Sequence, residues 1–180
     1  MFKFNITLDD NDYFEYNKYH FLNSPTGKKT LMLYRLFLPI IFLLILFIFL
    51  INGFDFVILM VQFILSAILS TTWIVFAKKN YFSNLKKNIQ KLKMSGKLPF
   101  SKENILSFDE ELIIQTTPEN ESKIKYLMVE RIVEAEKAVY IFISSIQGII
   151  IPLSAFSDDS ERKQFIEFIE IKIKERTQKP

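Results

Sequence analysis

Two apolar blocks, residues 31–51 and 56–77, separated only by Asn52-Gly53-Phe54-Asp55, restrict what this chain can fold into more than any other feature. A helix rises about 1.5 Å per residue, so crossing a hydrocarbon core of about 30 Å takes roughly 20 apolar residues. Each block supplies about that many, and the pair reads as a transmembrane hairpin. An apolar fraction of 49% over 180 residues would also suit a soluble domain, but here those residues are concentrated in the second quarter. Of the two remaining segments, 1–27 and 98–180, only the second is long enough to bury a core, and it would be marginal alone.

The charges around the hairpin give it a direction. Lys28, Lys29 and Arg35 flank one end and Lys78, Lys79, Lys86 and Lys87 the other, whereas the connecting turn carries Asp55 and no cation. Cytoplasmic loops are enriched in Lys and Arg, so a multi-pass protein of the cell (cytoplasmic) membrane is expected, with both termini cytoplasmic. Arg35 sits one turn inside the first span, where its stem can lie along the helix and lift its charge to the headgroups. Residues 1–22 hold four acids and no apolar core, which argues against a cleavable signal peptide.

Absent residue types exclude chemistry. Without cysteine, and with His20 as the single histidine, the chain cannot form disulfides, thiolate nucleophiles or a two-histidine metal site, and a Ser-His-Asp arrangement is disfavoured. Its four glycines form no phosphate-cradling loop. The carboxylates cluster at turns and helix starts, where capping and solvation account for them. No catalytic residue, metal site or cofactor is expected, and the chain reads as a non-enzyme.

Phe2-Lys3-Phe4-Asn5-Ile6 alternates apolar and polar residues, the period of a half-buried strand. Thr7-Leu8-Asp9-Asp10 reads as a helix start, followed over 8–22 by a helix rich in aromatics. Tyr13, Tyr16 and His20 share one of its faces, suited either to a membrane interface or to packing on the C-terminal domain. Asn23-Ser24-Pro25-Thr26-Gly27 stops that helix. Pro39 falls in the first turns of the first span, where it can kink the helix.

In the second span Gln62, Ser66 and Ser70 recur every four residues as a small polar stripe, the kind that lets helices approach and hydrogen-bond in lipid. Residues 78–97 carry seven lysines and no acid, with Tyr81, Phe82, Leu85, Ile89 and Leu92 at helical spacing. This predicts a basic amphipathic extension ending near Gly96, with Lys78, Lys79, Lys86, Lys87, Lys91 and Lys93 as membrane-surface contacts. Leu98-Pro99-Phe100 marks a boundary. Beyond it, 104–108, 112–116, 122–127, 131–134, 139–144 and 148–152 read as strands, and Ser157-Asp158-Asp159 opens a final amphipathic helix with Asp158 and Glu161 at capping-box spacing. This is an α+β plan.

The order of parts resembles the YcxB-like family of bacterial membrane proteins. The resemblance rests on the aromatic N-terminal segment, the Asn23-Ser24-Pro25 turn and the hairpin, then on the run from Ile124-Lys125-Tyr126 through Val139-Tyr140-Ile141-Phe142 to Ile150-Ile151-Pro152-Leu153-Ser154-Ala155-Phe156. It implies a small pleckstrin-homology-like β domain over 98–180 closed by the C-terminal helix, and no chemistry. Tyr126 stands where that family often has tryptophan. A pleckstrin-like barrel needs seven strands, and residues 2–6 are the expected seventh.

These features favour a membrane-anchored cytoplasmic binding or scaffolding module. The alternative is a subunit of a membrane complex, or an immunity-type protein, acting through its hairpin. The expected partners are the lipid bilayer, in particular an anionic inner leaflet, and a membrane protein or second copy of the chain; nucleic acid is not expected.

Overall fold

A computed structural model describes residues 1–98, 100–144 and 147–178, with side chains through Glu175. Pro99, part of the boundary read from the sequence, lies outside the described residues. The chain divides into two compact units, Met1–Asn17 with Lys91–Pro180, and Lys18–Gln90.

The first unit is built on two antiparallel sheets. Strand β1 (Phe2–Thr7) forms the edge of a four-stranded sheet in the order β1-β2-β3-β4, where β2 is Glu103–Phe108, β3 Leu112–Thr116 and β4 Glu121–Lys125. Its register sets Phe4 opposite Leu106 and Ile6 opposite Asn104, so the alternation of β1 buries Phe4 and Ile6 and leaves Lys3 and Asn5 in solvent. The N-terminal segment and a strand that follows both apolar helices are therefore one sheet. Strands β5 (Arg131–Glu134), β6 (Ala138–Phe142) and β7 (Gly148–Pro152) make a second sheet with β6 in the centre, buried along its whole length.

Helix α4 (Asp159–Gln178) follows. Asp158 caps it by accepting from the Glu161 N–H at 2.8 Å, and the Glu161 carboxylate reaches back to the Ser157 N–H at 2.7 Å. Phe165 and Ile169, four residues apart on one face, are fully buried. Phe165 meets Phe4, Phe108 and Phe156 at ring centroid distances of 5.1, 4.8 and 5.6 Å, which fixes the core between β1, β2 and the helix. Arg162 adds ion pairs to Glu134 of β5 at 2.9 Å and to Asp159 at 3.0 Å.

Several local expectations shift. The first helix, α1 (Asp10–Asn23), is capped by Asp9 rather than started by Thr7: the Asp9 carboxylate accepts from the N–H groups of Asn11 and Asp12, and Asp12 answers the Asp9 N–H at 3.0 Å. Thr7 is held in β1 opposite Glu103, so it is not free to cap. The strand read over 122–127 ends at Lys125, where Tyr126–Met128 turns as a short 3-10 helix. Tyr126 is buried there and its hydroxyl donates to the Asp109 carbonyl at 2.8 Å.

The second unit contains the apolar helices. Helix α2 (Pro25–Ile51) starts six residues before the apolar block, since Ser24 caps it by accepting from the Gly27 N–H at 3.0 Å and Pro25 occupies its first turn. It ends on Gly53 at φ 69°, with Gly53 N–H donating to Leu50 and Phe54 N–H to Phe49, and the Phe49 and Phe54 rings stacked at 4.5 Å. This is a Schellman end with its apolar contact. Asp55 then caps α3 (Phe56–Met94) through the Val57 N–H. The same device closes α3: Gly96 at φ 69°, its N–H on Lys93 and the Lys97 N–H on Leu92. Both helices have the length and composition to cross a membrane.

Candidate functional site

The core face of the first sheet turns polar at one end. Along β2 the inward positions are Asn104, Leu106 and Phe108, and along β3 they are Ile113 and Gln115. Asn104 is 5% exposed, so its amide must be satisfied internally. It accepts from Gln115 Nε2 at 2.7 Å and donates to the Ser101 carbonyl at 2.8 Å. This pair forms the floor of a cleft of about 230 Å³ in the first unit, walled by Tyr13, Tyr16 and Asn17 of α1, by Phe100 and by Gln147–Ile150 at the start of β7.

Helix α1 positions the walls through its periodicity. Tyr13 stacks on Phe100 at 4.7 Å, and Tyr16, one turn on, packs against Tyr140 at 5.3 Å and Phe142 at 5.7 Å. Asn17 is oriented by its own helix, its Nδ2 donating to the Tyr13 carbonyl at 2.7 Å. Of the two placements open for this aromatic face, Tyr13 and Tyr16 take the one on the C-terminal segment. Burial pushes the Tyr16 hydroxyl up to about 12, so it stays a neutral donor at physiological pH. Gly148 is required opposite it: a Cβ there would lie 2.5 Å from the Tyr16 hydroxyl and 2.8 Å from the Ile141 carbonyl.

The described lining contains carboxamides, hydroxyls and aromatic rings, with no carboxylate, histidine or cation. Such a surface suits a neutral polar ligand, one that exchanges hydrogen bonds with amides and lays an apolar face on the rings. Sequence reading missed it because Asn104 and Gln115 lie on adjacent strands and look like ordinary polar residues in alternating runs. The one available signal was Asn104 in an inward register position.

The residues singled out in the sequence lie elsewhere. Gln62, Ser66 and Ser70 fall on the inward face of α3: Ser66 is buried, the other two are half-buried, and Gln62 Nε2 donates to Ser66 Oγ at 3.1 Å. Three residues beyond Ser70, the Trp73 indole donates to the Tyr34 carbonyl of α2 at 3.1 Å, which marks this stripe as the side of α3 that faces α2. Lys78, Lys79, Lys86, Lys87, Lys91 and Lys93 are exposed along the last part of α3. Lys93 is engaged, its ammonium 2.6 Å from the Asp10 carboxylate. His20 is half-buried on α1 and lines no part of the cleft. Among the described residues no group of carboxylates and imidazole could hold a metal ion.

The family model described as YcxB-like protein matches residues 108–169, from the last residue of β2 into α4. The matched stretch takes in β3 to β7 and the buried face of α4, and leaves out β1, α1 and both apolar helices. No curated protein and no solved structure matches the chain.

Proposed function

We propose that this chain, YcxB-like over residues 108–169, is a membrane-anchored cytoplasmic binding module without catalytic activity. Helices α2 and α3 form its two-span anchor, and the two sheets with α4 form a pleckstrin-homology-like domain whose cleft takes a neutral polar ligand. The pairing of β1 with β2 carries this reading. One of these strands precedes the apolar helices and the other follows them, so both ends of the anchor must lie on one side of the bilayer. Lysines crowd both ends of the anchor and none lies in the turn at 52–55, so that side is the cytoplasm. Two antiparallel sheets of four and three strands closed by a C-terminal helix support the pleckstrin-like assignment. The exposed lysines of α3 fit an anionic inner leaflet, each contributing about 1 kcal/mol near such a surface.

The competing reading, a subunit of a membrane complex or an immunity-type protein acting through the Gln62, Ser66 and Ser70 stripe, has less support because that stripe is already turned inward in its own unit.

The native chain has no cysteine, so single cysteines report location cleanly. With Asn52→Cys and Glu119→Cys in intact bacterial cells, an impermeant maleimide should label position 52 at once and position 119 only after lysis. Labelling of position 119 in intact cells would overturn the orientation. In the lysed membranes, a photo-crosslinking residue at Gln115 should form an adduct that Asn17→Leu abolishes; an adduct unchanged by that substitution would remove the cleft from the reading.

A further inference from the structure

We propose that a groove on the second unit binds the phosphodiester head of an anionic phospholipid, with Lys28 and Arg35 as its anion-binding residues. The groove has a volume of about 400 Å³ and is lined by Lys28, Leu31, Met32, Arg35 and Leu36 of α2 and by Ile74 of α3. Lys28, Leu31 and Arg35 follow one another at intervals of three and four, so they share one face of α2. The two cations are about 10 Å apart along the helix, with Leu31 between them on the same face of an otherwise apolar trough.

The sequence around the groove supplies no nearby acid. Between Glu15 and Glu103 the only acid in the chain is Asp55, and it caps α3 by accepting from Val57 at the far end of α2, roughly 25 Å along the helix from Arg35. Arg35 Nε is buried and has no hydrogen-bond partner among the described residues. A buried donor of this kind seeks an acceptor, and a guanidinium fork matches two phosphate oxygens in one plane. The floor of Leu31, Met32, Leu36 and Ile74 selects among phosphates: it offers nothing to a hydrated inorganic ion and a length of apolar wall to an acyl chain. A lipid supplies both parts in one molecule.

The site rests on α2 and α3 lying in a bilayer, and the test separates the two ideas. The full chain is reconstituted in bilayers of equal phosphatidylcholine and phosphatidylglycerol, extracted in mild detergent, and its retained lipid identified by native mass spectrometry. Wild-type protein should retain phosphatidylglycerol in preference. Arg35→Gln should reduce that preference about tenfold, the size expected for losing one charge-assisted hydrogen bond, and Arg35→Lys should fall between. The Lys123→Gln/Lys125→Gln pair, which removes two exposed charges of β4, should leave it unchanged. Equal loss in that pair, or an unchanged preference in Arg35→Gln, would overturn the site. If Arg35→Gln does not fold, an Arg35→Lys preference equal to wild type would do the same. Displacement of the lipid by excess inorganic phosphate would reassign the groove to a free anion. Recovery of the wild-type chain without detergent would instead overturn the membrane reading itself.

Discussion

Phe4 and Phe165 meet edge to face with ring centroids 5.1 Å apart, although both apolar helices lie between them in the chain. Each ring is almost wholly buried. Truncating a buried phenylalanine costs about 3–5 kcal/mol, through lost transfer energy and the cavity left behind. Phe4→Ala and Phe165→Ala should each destabilise the domain by that order. Together they should cost less than the sum, by about 1 kcal/mol or more, since each removes the other's partner. Denaturant titration of the full chain in detergent, followed by near-ultraviolet circular dichroism, measures all three variants. Strict additivity would show that β1 and α4 do not share a core.

Gly148 and the Tyr16 hydroxyl compete for one space. Gly148→Ala should lower the thermal midpoint, because its Cβ would sit too close to both that hydroxyl and the Ile141 carbonyl. Adding Tyr16→Phe removes the first clash and leaves the second, so the double variant should recover part of the loss. No recovery would mean that the backbone contact alone decides the cost.

The alkaline limb of stability follows from the same tyrosine. Burial raises the Tyr16 hydroxyl to about 12, and that of Tyr126 is also raised, again by burial first and then by the Asp109 charge beside it. An unfolded tyrosine ionises near pH 10, so above that pH the unfolded chain gives up protons that the folded chain keeps. The stabilisation is therefore complete below about pH 10 and is lost as pH rises through the folded values. Unfolding midpoints measured from pH 8 to 12 should fall steeply in wild type and less steeply in Tyr16→Phe. Parallel curves would place the ionising group elsewhere.

Two glycines in the helical unit should respond to alanine for different reasons. A Cβ on Gly27 would lie 1.9 Å from the Phe21 carbonyl oxygen, a backbone atom that cannot swing away, so Gly27→Ala must force α1 and α2 apart at Ser24. Gly53 has open space around it but a φ of 69°, so Gly53→Ala pays only the left-handed backbone term of about 1–2 kcal/mol. Limited proteolysis in detergent should open the 23–27 junction in the first variant and leave the second resistant there.

What could be read from the sequence was whatever is local. The spans of 112–116, 131–134 and 148–152 match β3, β5 and β7 residue for residue, because branched side chains between turn residues leave little choice. The Asp158 cap was legible for the same reason, since three residues of spacing define it. At the start of α1 the sequence pointed to Thr7, and it is the pairing of Thr7 with Glu103 that moves the cap to Asp9. Of the cleft, only the shared face of Tyr13 and Tyr16 was legible. The rest depends on Asn104 and Gln115 meeting across a strand pair and on Gly148 meeting Tyr16, contacts set by register rather than by pattern.

The placement of β1 also bears on how the protein is made. A strand synthesised first and paired only with one that emerges after both apolar helices must wait, unpaired, until both helices have been made. Under the proposed two-span anchor, a chain that threaded one helix and not the other would leave β1 on the far side of the bilayer, and its domain would lack an edge. Under that anchor, completion of the first sheet would act as a check on topology, since only a correctly threaded chain could form it.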